Sequence, residues 1–408
     1  MKLKKTGRKR KRSVHAPDLL EELVTDILVR LPVKDLLKYK TVCKAWRKIT
    51  SDPTFIKEHL RFSASKWKQD PSFIISPHYL TYVISWESIP STFSNRIRFY
   101  QWKDGASAAK LLHAKDFVDE FSRVREFVCC DGLVFAPTDT KLYLFNPATR
   151  DSITLPDSNR NNLWLCGPSL CYCAGLGLDP HTGNYKVVQA FYRSVDHDTN
   201  IYHMGMEVFT IAGGNGGGGA WREMMNDPPY PAERSQTSVS VKGFMFWHID
   251  KAHSKPQTPW GLLCLNLSDE TFSVTGMPDS LDPVLADADD EESSYTVDVV
   301  NEELCLTARS SDVGITIWTL RMPDQCWEQR FKMLISHICH PLAFLEGGTI
   351  MLRKDQFLYR YDLPSSSLTF LREMNNMRYQ GRRSWSWKNI FFFNVNSYVE
   401  SLVRIISV

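Results

Sequence analysis

Residues 19–62 read LLEELVTDILVRLPVKDLLKYKTVCKAWRKITSDPTFIKEHLRF, and the break at Leu31-Pro32 decides how they fold. Leu20, Leu23, Val24, Ile27, Leu28 and Leu31 recur at three-and-four spacing, which is one apolar stripe of an α-helix. Proline has no backbone N–H and pushes the residue before it out of the α region. Leu31 therefore closes a first helix, and Val33 turns the chain into a second whose apolar set continues through Leu36, Leu37 and Val42. Cys43 and Trp46 lie three residues apart on a further segment, with Lys44, Arg47 and Lys48 left to face water. Asp52-Pro53 supplies an N-cap followed by proline at the first helical position, which predicts a short helix over Thr54–Arg61. A module of about forty residues hides too little of its chain from water to stand alone, so its apolar surplus wants a partner. The stretch reads as a docking surface and not as an active site.

These residues resemble the F-box, whose pattern runs Leu-Pro, Leu, Ile-Leu, Leu-Pro-Val, Leu-Leu and Val-Cys-Lys-x-Trp. Here it appears as Leu23, Ile27-Leu28, Leu31-Pro32-Val33, Leu36-Leu37 and Val42-Cys43-Lys44-Ala45-Trp46, with Leu19-Leu20 in place of the leading Leu-Pro. That departure touches only the start of the first helix. The resemblance implies that Leu23, Ile27, Leu28, Leu31, Pro32, Leu36, Leu37, Val42, Cys43 and Trp46 pack against a Skp-family adaptor, itself bound to a cullin complex. An ordinary three-helix bundle is the plain alternative.

The chain has 408 residues, 43% hydrophobic and 23% charged, which is the composition of a soluble globular protein with room for a small module and a large one. The expected division is a disordered basic tail over 1–16, an F-box over 17–65 and a β domain over 66–408. No run of 18 apolar residues predicts a membrane span. The opening residues carry charge without an apolar stretch behind them, so the ten cysteines are expected in a reducing compartment. Cys129-Cys130, Cys171-x-Cys173 and His337-x-Cys339-His340 lack the paired spacing of a zinc site and read as buried thiols. No metal and no cofactor is expected. The sequon Asn266-Leu267-Ser268 is expected to stay unmodified.

Eight positive charges crowd residues 2–12, so the net charge of +3 becomes −5 over the rest of the chain. A block this dense is disordered, and Arg8, Lys9, Arg10, Lys11 and Arg12 read as a nuclear-localisation run. No aromatic residues interleave for base stacking, which disfavours nucleic acid. The expected location is nucleus and cytoplasm; a solvated tail without a role is the bland reading.

From about residue 70 the pattern becomes extended. Runs of β-branched and aromatic residues include Thr81–Trp86, Ile97–Trp102, Lys141–Phe145, Tyr185–Arg193, Met206–Ile211, Phe244–Ile249, Gly314–Leu320 and Gln356–Tyr361. No long amphipathic helix interrupts them, so a parallel crossover sheet is excluded. An all-β domain this large is best served by radial repetition, which leaves only short, protected strand edges: a propeller of about six to eight blades.

The order of motifs here is similar to the F-box-associated domain of plant F-box proteins, a kelch-like propeller. It runs from Asp131-Gly132-Leu133 and Leu144-Phe145-Asn146-Pro147-Ala148-Thr149-Arg150 through Gly175-Leu176-Gly177-Leu178-Asp179-Pro180 and Tyr185-Lys186-Val187-Val188. Glu207-Val208-Phe209, Trp221-Arg222, Val241-Lys242-Gly243-Phe244, Leu265-Asn266-Leu267, Met277-Pro278, Ile317-Trp318 and Tyr398-Val399-Glu400-Ser401-Leu402-Val403 complete it. Their roles read as structural: turns and inter-sheet packing.

Other motifs exclude more than they suggest. The glycine run at 213–219 has no Lys-Ser or Lys-Thr behind it, so it is a loop and not a phosphate cradle. The acidic stretch 282–292 lacks EF-hand spacing. Ser310-x-Asp312-x-Gly314-x-Thr316 approaches a sialidase-type Asp-box but occurs once, with Trp318 one residue late; no hydrolase elbow or metalloprotease pair is present. The resemblance therefore implies a non-catalytic receptor subunit of a ubiquitin ligase, holding an unknown target protein by its β domain. A nuclear scaffold or nucleic-acid-associated binding protein acting outside ubiquitination is the alternative. Loops near 157–169, 194–203, 212–220, 226–236, 251–260 and 278–293 are the expected target contacts, because binding residues concentrate on loops held by a rigid scaffold.

Overall fold

The computed structural model describes residues 20–78, 80–81, 91–92, 96–117, 120–121, 124–160, 173–211, 219–233, 237–281, 295–309, 314–380 and 392–405. Four helices open it: α1 (Glu21–Leu28), α2 (Val33–Tyr39), α3 (Lys44–Ser51) and α4 (Pro53–Trp67). The Leu31-Pro32 break separates α1 from α2 as the backbone chemistry requires, and the Leu31 carbonyl left over at the break accepts a hydrogen bond from His59 Nε2 at 2.9 Å. Burial holds the His59 pKa below its ordinary value, so the ring is a neutral donor.

Asp52 caps α4 as expected, its Oδ1 accepting from Thr54 N at 2.8 Å and Phe55 N at 3.4 Å. The helix runs past the expected end at Arg61 to Trp67. Nothing local in Phe62–Lys66 breaks a helix, and tertiary packing sets the end: Trp67 Nε1 donates to Ser72 O at 2.8 Å, and its ring meets Phe73 edge-on. Replacing Asp52 with alanine is expected to fray the first turn of α4, seen as faster hydrogen exchange at Thr54 and Phe55; unchanged protection would show that packing alone holds this end.

The β domain begins with β1 (Ser72–His78), the two-residue β2 (Leu80–Thr81) and β3 (Ser91–Thr92), β4 (Arg96–Lys103) and β5 (Ala108–Asp116). Next come β6 (Val128–Cys130), β7 (Leu133–Pro137), β8 (Leu142–Asn146) and β9 (Asp151–Thr154), followed by β10 (Ala174–Leu178), β11 (Tyr185–Asp196), β12 (Ile201–Ile211) and β13 (Arg222–Glu223). A third group is β14 (Val239–Val241), β15 (Phe244–His248), β16 (Gly261–Asn266) and β17 (Phe272–Gly276), and a fourth is β18 (Tyr295–Val300), β19 (Glu303–Arg309), β20 (Ile315–Arg321) and β21 (Cys326–Met333). The last are β22 (His340–Leu345), β23 (Thr349–Lys354), β24 (Phe357–Asp362), β25 (Ser367–Glu373), β26 (Arg378–Tyr379) and β27 (Phe392–Ser397).

Five antiparallel four-stranded sheets follow one another in chain order, and a five-stranded sheet ordered β26-β5-β4-β1-β27 completes six blades. The lower end of the expected range of blades is therefore the correct one. Inner strands β27, β6, β10, β14, β18 and β22 touch in succession and close the ring. The closure is a clasp between the two ends of the domain, with Phe73 opposite Ser397 through to His78 opposite Phe392. The expected runs from Ile97 onward each coincide with a strand to within one residue, with Lys141, Ile249, Gly314 and Gln356 lying just outside. The run Thr81–Trp86 falls mostly outside the described residues, as do the basic tail, the glycine run, the acidic stretch and most of the Asp-box-like motif.

The middle strands of each blade are buried on both faces, as in β7, β8 and β16, so they read as continuous apolar runs instead of alternating ones, whereas outer strands such as β21 and β25 are largely exposed. Consecutive residues go to opposite neighbours: Met245 and Leu263 pack with Val188 and Val208 of the preceding blade, whereas Phe246 and Leu262 pack with Leu304 and Leu306 of the next. The Gly175-Leu176-Gly177 signature has a physical reason within this arrangement. A Cβ on Gly175 or Gly177 would strike the side chain of Ser238 or Ser240, so two glycines on one face let β10 approach the next blade.

Candidate docking surfaces

The helical stripe divides into two. Leu28 (1% exposed) and Leu36 (0%) are core residues, packed with Val33, Ile49, Phe55 and Leu402. Leu20 (68%), Leu23 (48%) and Ile27 (53%) face outward, joined by Val42 (60%) ahead of α3. The helical period explains the split, since positions 20, 23 and 27 share one side of α1 while 24, 28 and 31 share the adjacent side. The expectation that the whole set meets a partner is thus corrected for Leu28 and Leu36, whose side chains are consumed inside the chain. Pro32 and Cys43 are exposed, and Leu31, Leu37 and Trp46 are half-buried. Cys43 doubles as the N-cap of α3, its Sγ accepting from Trp46 N at 3.4 Å, and Trp46 sits edge-on to Tyr39.

The module is fixed to the ring by a segment that sequence reasoning took as generic β packing. After β27 the chain runs as an extended tail between helices and blade. Tyr398 N donates to Ser72 O at 2.9 Å, and Ser72 Oγ donates to Tyr398 O at 2.8 Å. Asn146 Nδ2 donates to Ser401 O at 3.0 Å and to Val403 O at 2.8 Å. Glu400 Oε2 accepts from Val33 N at 3.2 Å, satisfying an orphan donor at the start of α2. Gly132, at φ 77°, leaves room for the tail: a Cβ there would lie 2.5 Å from Val399 O. The helices therefore sit on the face that carries the Asp131-Gly132 and Asn146–Arg150 turns.

Radial repetition places the second-to-third-strand turns and the blade-to-blade connections on the opposite face. The expected loops 157–169, 194–203, 226–236, 251–260 and 278–293 are all of this kind, so their described parts gather on the side away from the helices. Contacts among them agree: Asn200 Nδ2 donates to Ala252 O at 3.3 Å, and Tyr202 stacks on His253 at 4.1 Å. Arg193 holds Asp227 by two bonds of 2.6 Å. Residues 194–203 are a correction, being a strand hairpin with only 197–200 as its tip. The expected loop 212–220 falls between the third and fourth strands of its blade, and 212–218 lie outside the described residues.

Cys129 and Cys173 are pushed up to about 12 and Cys339 to about 11, all by burial, so these thiols are not poised as thiolates. Among the described residues no group of three or more His, Cys, Asp or Glu could hold a metal ion, and no helix is long and apolar enough to cross a membrane. Asn266 is tied into a turn, its Oδ1 accepting from Ser268 N at 2.9 Å.

The chain is thus a six-bladed propeller clasped to a small helical module that carries a separate exposed stripe. Comparison with known proteins gives the family: the F-box associated beta propeller domain matches residues 92–405 and the F-box-like domain residues 21–63, and the chain belongs to the F-box associated beta propeller family. It is similar to F-box protein At5g10340 of Arabidopsis thaliana, 28% identical over 354 residues covering 82% of this chain and 74% of that protein. F-box/LRR-repeat protein At2g43260 of Arabidopsis thaliana is 24% identical over 336 residues, 78% of this chain and 68% of that one. Among solved structures, TolB from Acinetobacter baumannii overlaps 78% of this chain and 70% of its own at TM-score 0.41 and 8% identity, a likeness too distant to carry an argument.

Proposed function

We propose that this chain is the substrate-recognition subunit of a Skp–cullin–F-box ubiquitin ligase. The observation that carries the reading is the outward stripe of Leu20, Leu23 and Ile27, with Val42 also exposed, on a module whose core is already filled with the help of Leu402 from the C-terminal tail. Such a surface suits helix packing against a Skp-type adaptor, with the most buried aliphatic contacts dominating affinity. The far-face loops of the propeller then hold a target protein. The chain supplies no acid, base or nucleophile, and it accelerates transfer by raising the effective concentration of target lysines near a conjugating enzyme. The run Arg8–Arg12 supports partial nuclear residence.

The test is capture of a purified Skp-type adaptor by the full chain, wild type beside Leu23→Asp with Ile27→Asp. Both positions are exposed, so the variant keeps its fold while placing two charges in the contact; affinity should fall at least about a hundredfold. A variant that binds as wild type, with an unchanged circular dichroism melt, rejects the assignment of the stripe. A wild-type chain that binds no adaptor rejects the function.

A further inference from the structure

The ring encloses an axial cavity of about 120 Å³, lined by the inner strands and by the residues leading into them. Its charged groups are four. Arg353 Nη2 meets Glu126 Oε1 at 3.3 Å, and His340 Nδ1 meets Asp298 at 3.0 and 3.2 Å. Arg353, Glu126 and His340 lie at the end where β6 and β22 begin and β23 finishes, away from the helical module.

The two pairs are unequal. Asp298 is held on several sides, by His340 and by Thr296 Oγ1 at 3.0 Å. Its negative charge raises the His340 pKa against the opposing effect of burial. The Arg353 pair is looser: 3.3 Å is long beside the 2.7–2.9 Å of a good charge-assisted bond. The two sides of that pair also differ in exposure, at 10% for the Arg353 side chain and 55% for Glu126. The cation is fixed in place, with Nη1 donating to Phe393 O at 3.3 Å. The anion is the exposed partner, and because its backbone is held independently by Thr237 Oγ1 on Glu126 O at 2.9 Å, its side chain can leave Arg353 without moving the chain. With Glu126 swung away, the guanidinium at the mouth of the cavity, already shielded from water, loses the carboxylate that touches it.

We propose that this mouth is a carboxylate-binding site, in which an acidic side chain or a small free carboxylate displaces Glu126 from Arg353. The asymmetry of burial sets the sign of the ligand: a cationic ligand would have to displace the buried partner. The cavity has room for a short side chain or a few water molecules and no more. The peptide form of the proposal, an acidic residue of the target anchored on the propeller axis, rests on the receptor function proposed above; the chemistry of the site does not.

The experiment is calorimetric titration of the full chain with glutarate, with the peptide acetyl-Ala-Glu-Ala-amide, and with cadaverine as a cationic control. Glu126→Gln removes the internal competitor and should tighten carboxylate binding about two- to fivefold, the worth of a partly exposed ion pair. Arg353→Gln should weaken it at least about tenfold. If Arg353→Gln fails to fold, Glu126→Gln still decides, because a merely structural Glu126 could not strengthen binding when removed. Binding of peptide but not glutarate identifies a protein side chain as the ligand, and the reverse a free metabolite. The proposal is overturned by cadaverine binding in place of the carboxylates, by neither carboxylate binding at millimolar concentration, or by carboxylate binding that Glu126→Gln leaves unchanged or weakens. Adaptor capture is independent of all these outcomes.

Discussion

Leu402→Asp is expected to abolish adaptor capture, although Leu402 lies 360 residues or more from the outward stripe and does not belong to it. Leu402 is 1% exposed and fills the centre of the helical module, against Leu28, Val33, Leu36, Ile49 and Phe55. Truncating a buried leucine to alanine costs about 2–5 kcal/mol, and an aspartate adds a buried charge without a partner. A module this small has little stability of its own to absorb that loss. The ring should survive, since the tail is also held by Asn146 and Ser72, and the cores between blades are separate from that of the module. Hydrogen exchange distinguishes the outcomes: α1–α3 should lose protection while β7 and β16 keep theirs. Equal protection of α1–α3 in variant and wild type would falsify the idea that the tail completes the module. Leu402→Ala should show a graded version of the same pattern. If the result holds, the two docking surfaces share one rigid frame, with the C-terminal tail as the piece that fixes the angle between them.

What the sequence disclosed follows from the range of the physics involved. The Leu31-Pro32 break, the Asp52 cap and the β-runs are local, set by a missing N–H, a side-chain acceptor and the preference of β-branched and aromatic residues for extended backbone, and each lies where the residues place it, to within a residue for the strands. The end of α4 is not local: Trp67 is held by Ser72 and Phe73, and no residue between Arg61 and Trp67 marks where the helix stops. The stripe of α1 was legible as a stripe, but periodicity cannot say which side a neighbouring segment covers. That segment is Tyr398–Ile405, whose contact between Glu400 and Val33 spans 367 residues. The gathering of the loops on one face was likewise hidden, because it depends on six-fold repetition and not on any loop's own residues. The Glu126–Arg353 pair joins residues 227 apart. Neither sits in a motif, and only closure of the ring brings them together.

Lys186→Met is expected to cost about 3–5 kcal/mol in urea unfolding at neutral pH, the usual penalty for breaking a buried ion pair from one side. Lys186 Nζ lies 3.2 Å from Asp179 Oδ2, 3.1 Å from Glu270 Oε1 and 2.5 Å from Leu267 O, so it ties the β10–β13 blade to the β14–β17 blade. Glu270 would keep Arg222, which holds it by two bonds of 2.7 Å, but Asp179, 1% exposed, would lose its cation. Burial alone would raise both carboxyl pKa values. Hydrogen bonds from Thr182, His181 N, Lys186 and Ser268 outweigh it at Asp179, and those from Arg222 and Lys186 outweigh it at Glu270, so both are held below the usual carboxylate range. A depressed folded pKa contributes stability that is complete above the unfolded value of about 4 and is lost as pH falls through the folded value. The gap between wild type and Lys186→Met should therefore be widest near pH 7 and shrink as pH falls below about 4, because the unfolded carboxyls take up protons there while the folded ones, held by Lys186, resist them. A gap under about 1 kcal/mol at pH 7, or one that does not change on acidification, would mean that the blades are held together by their apolar interface alone.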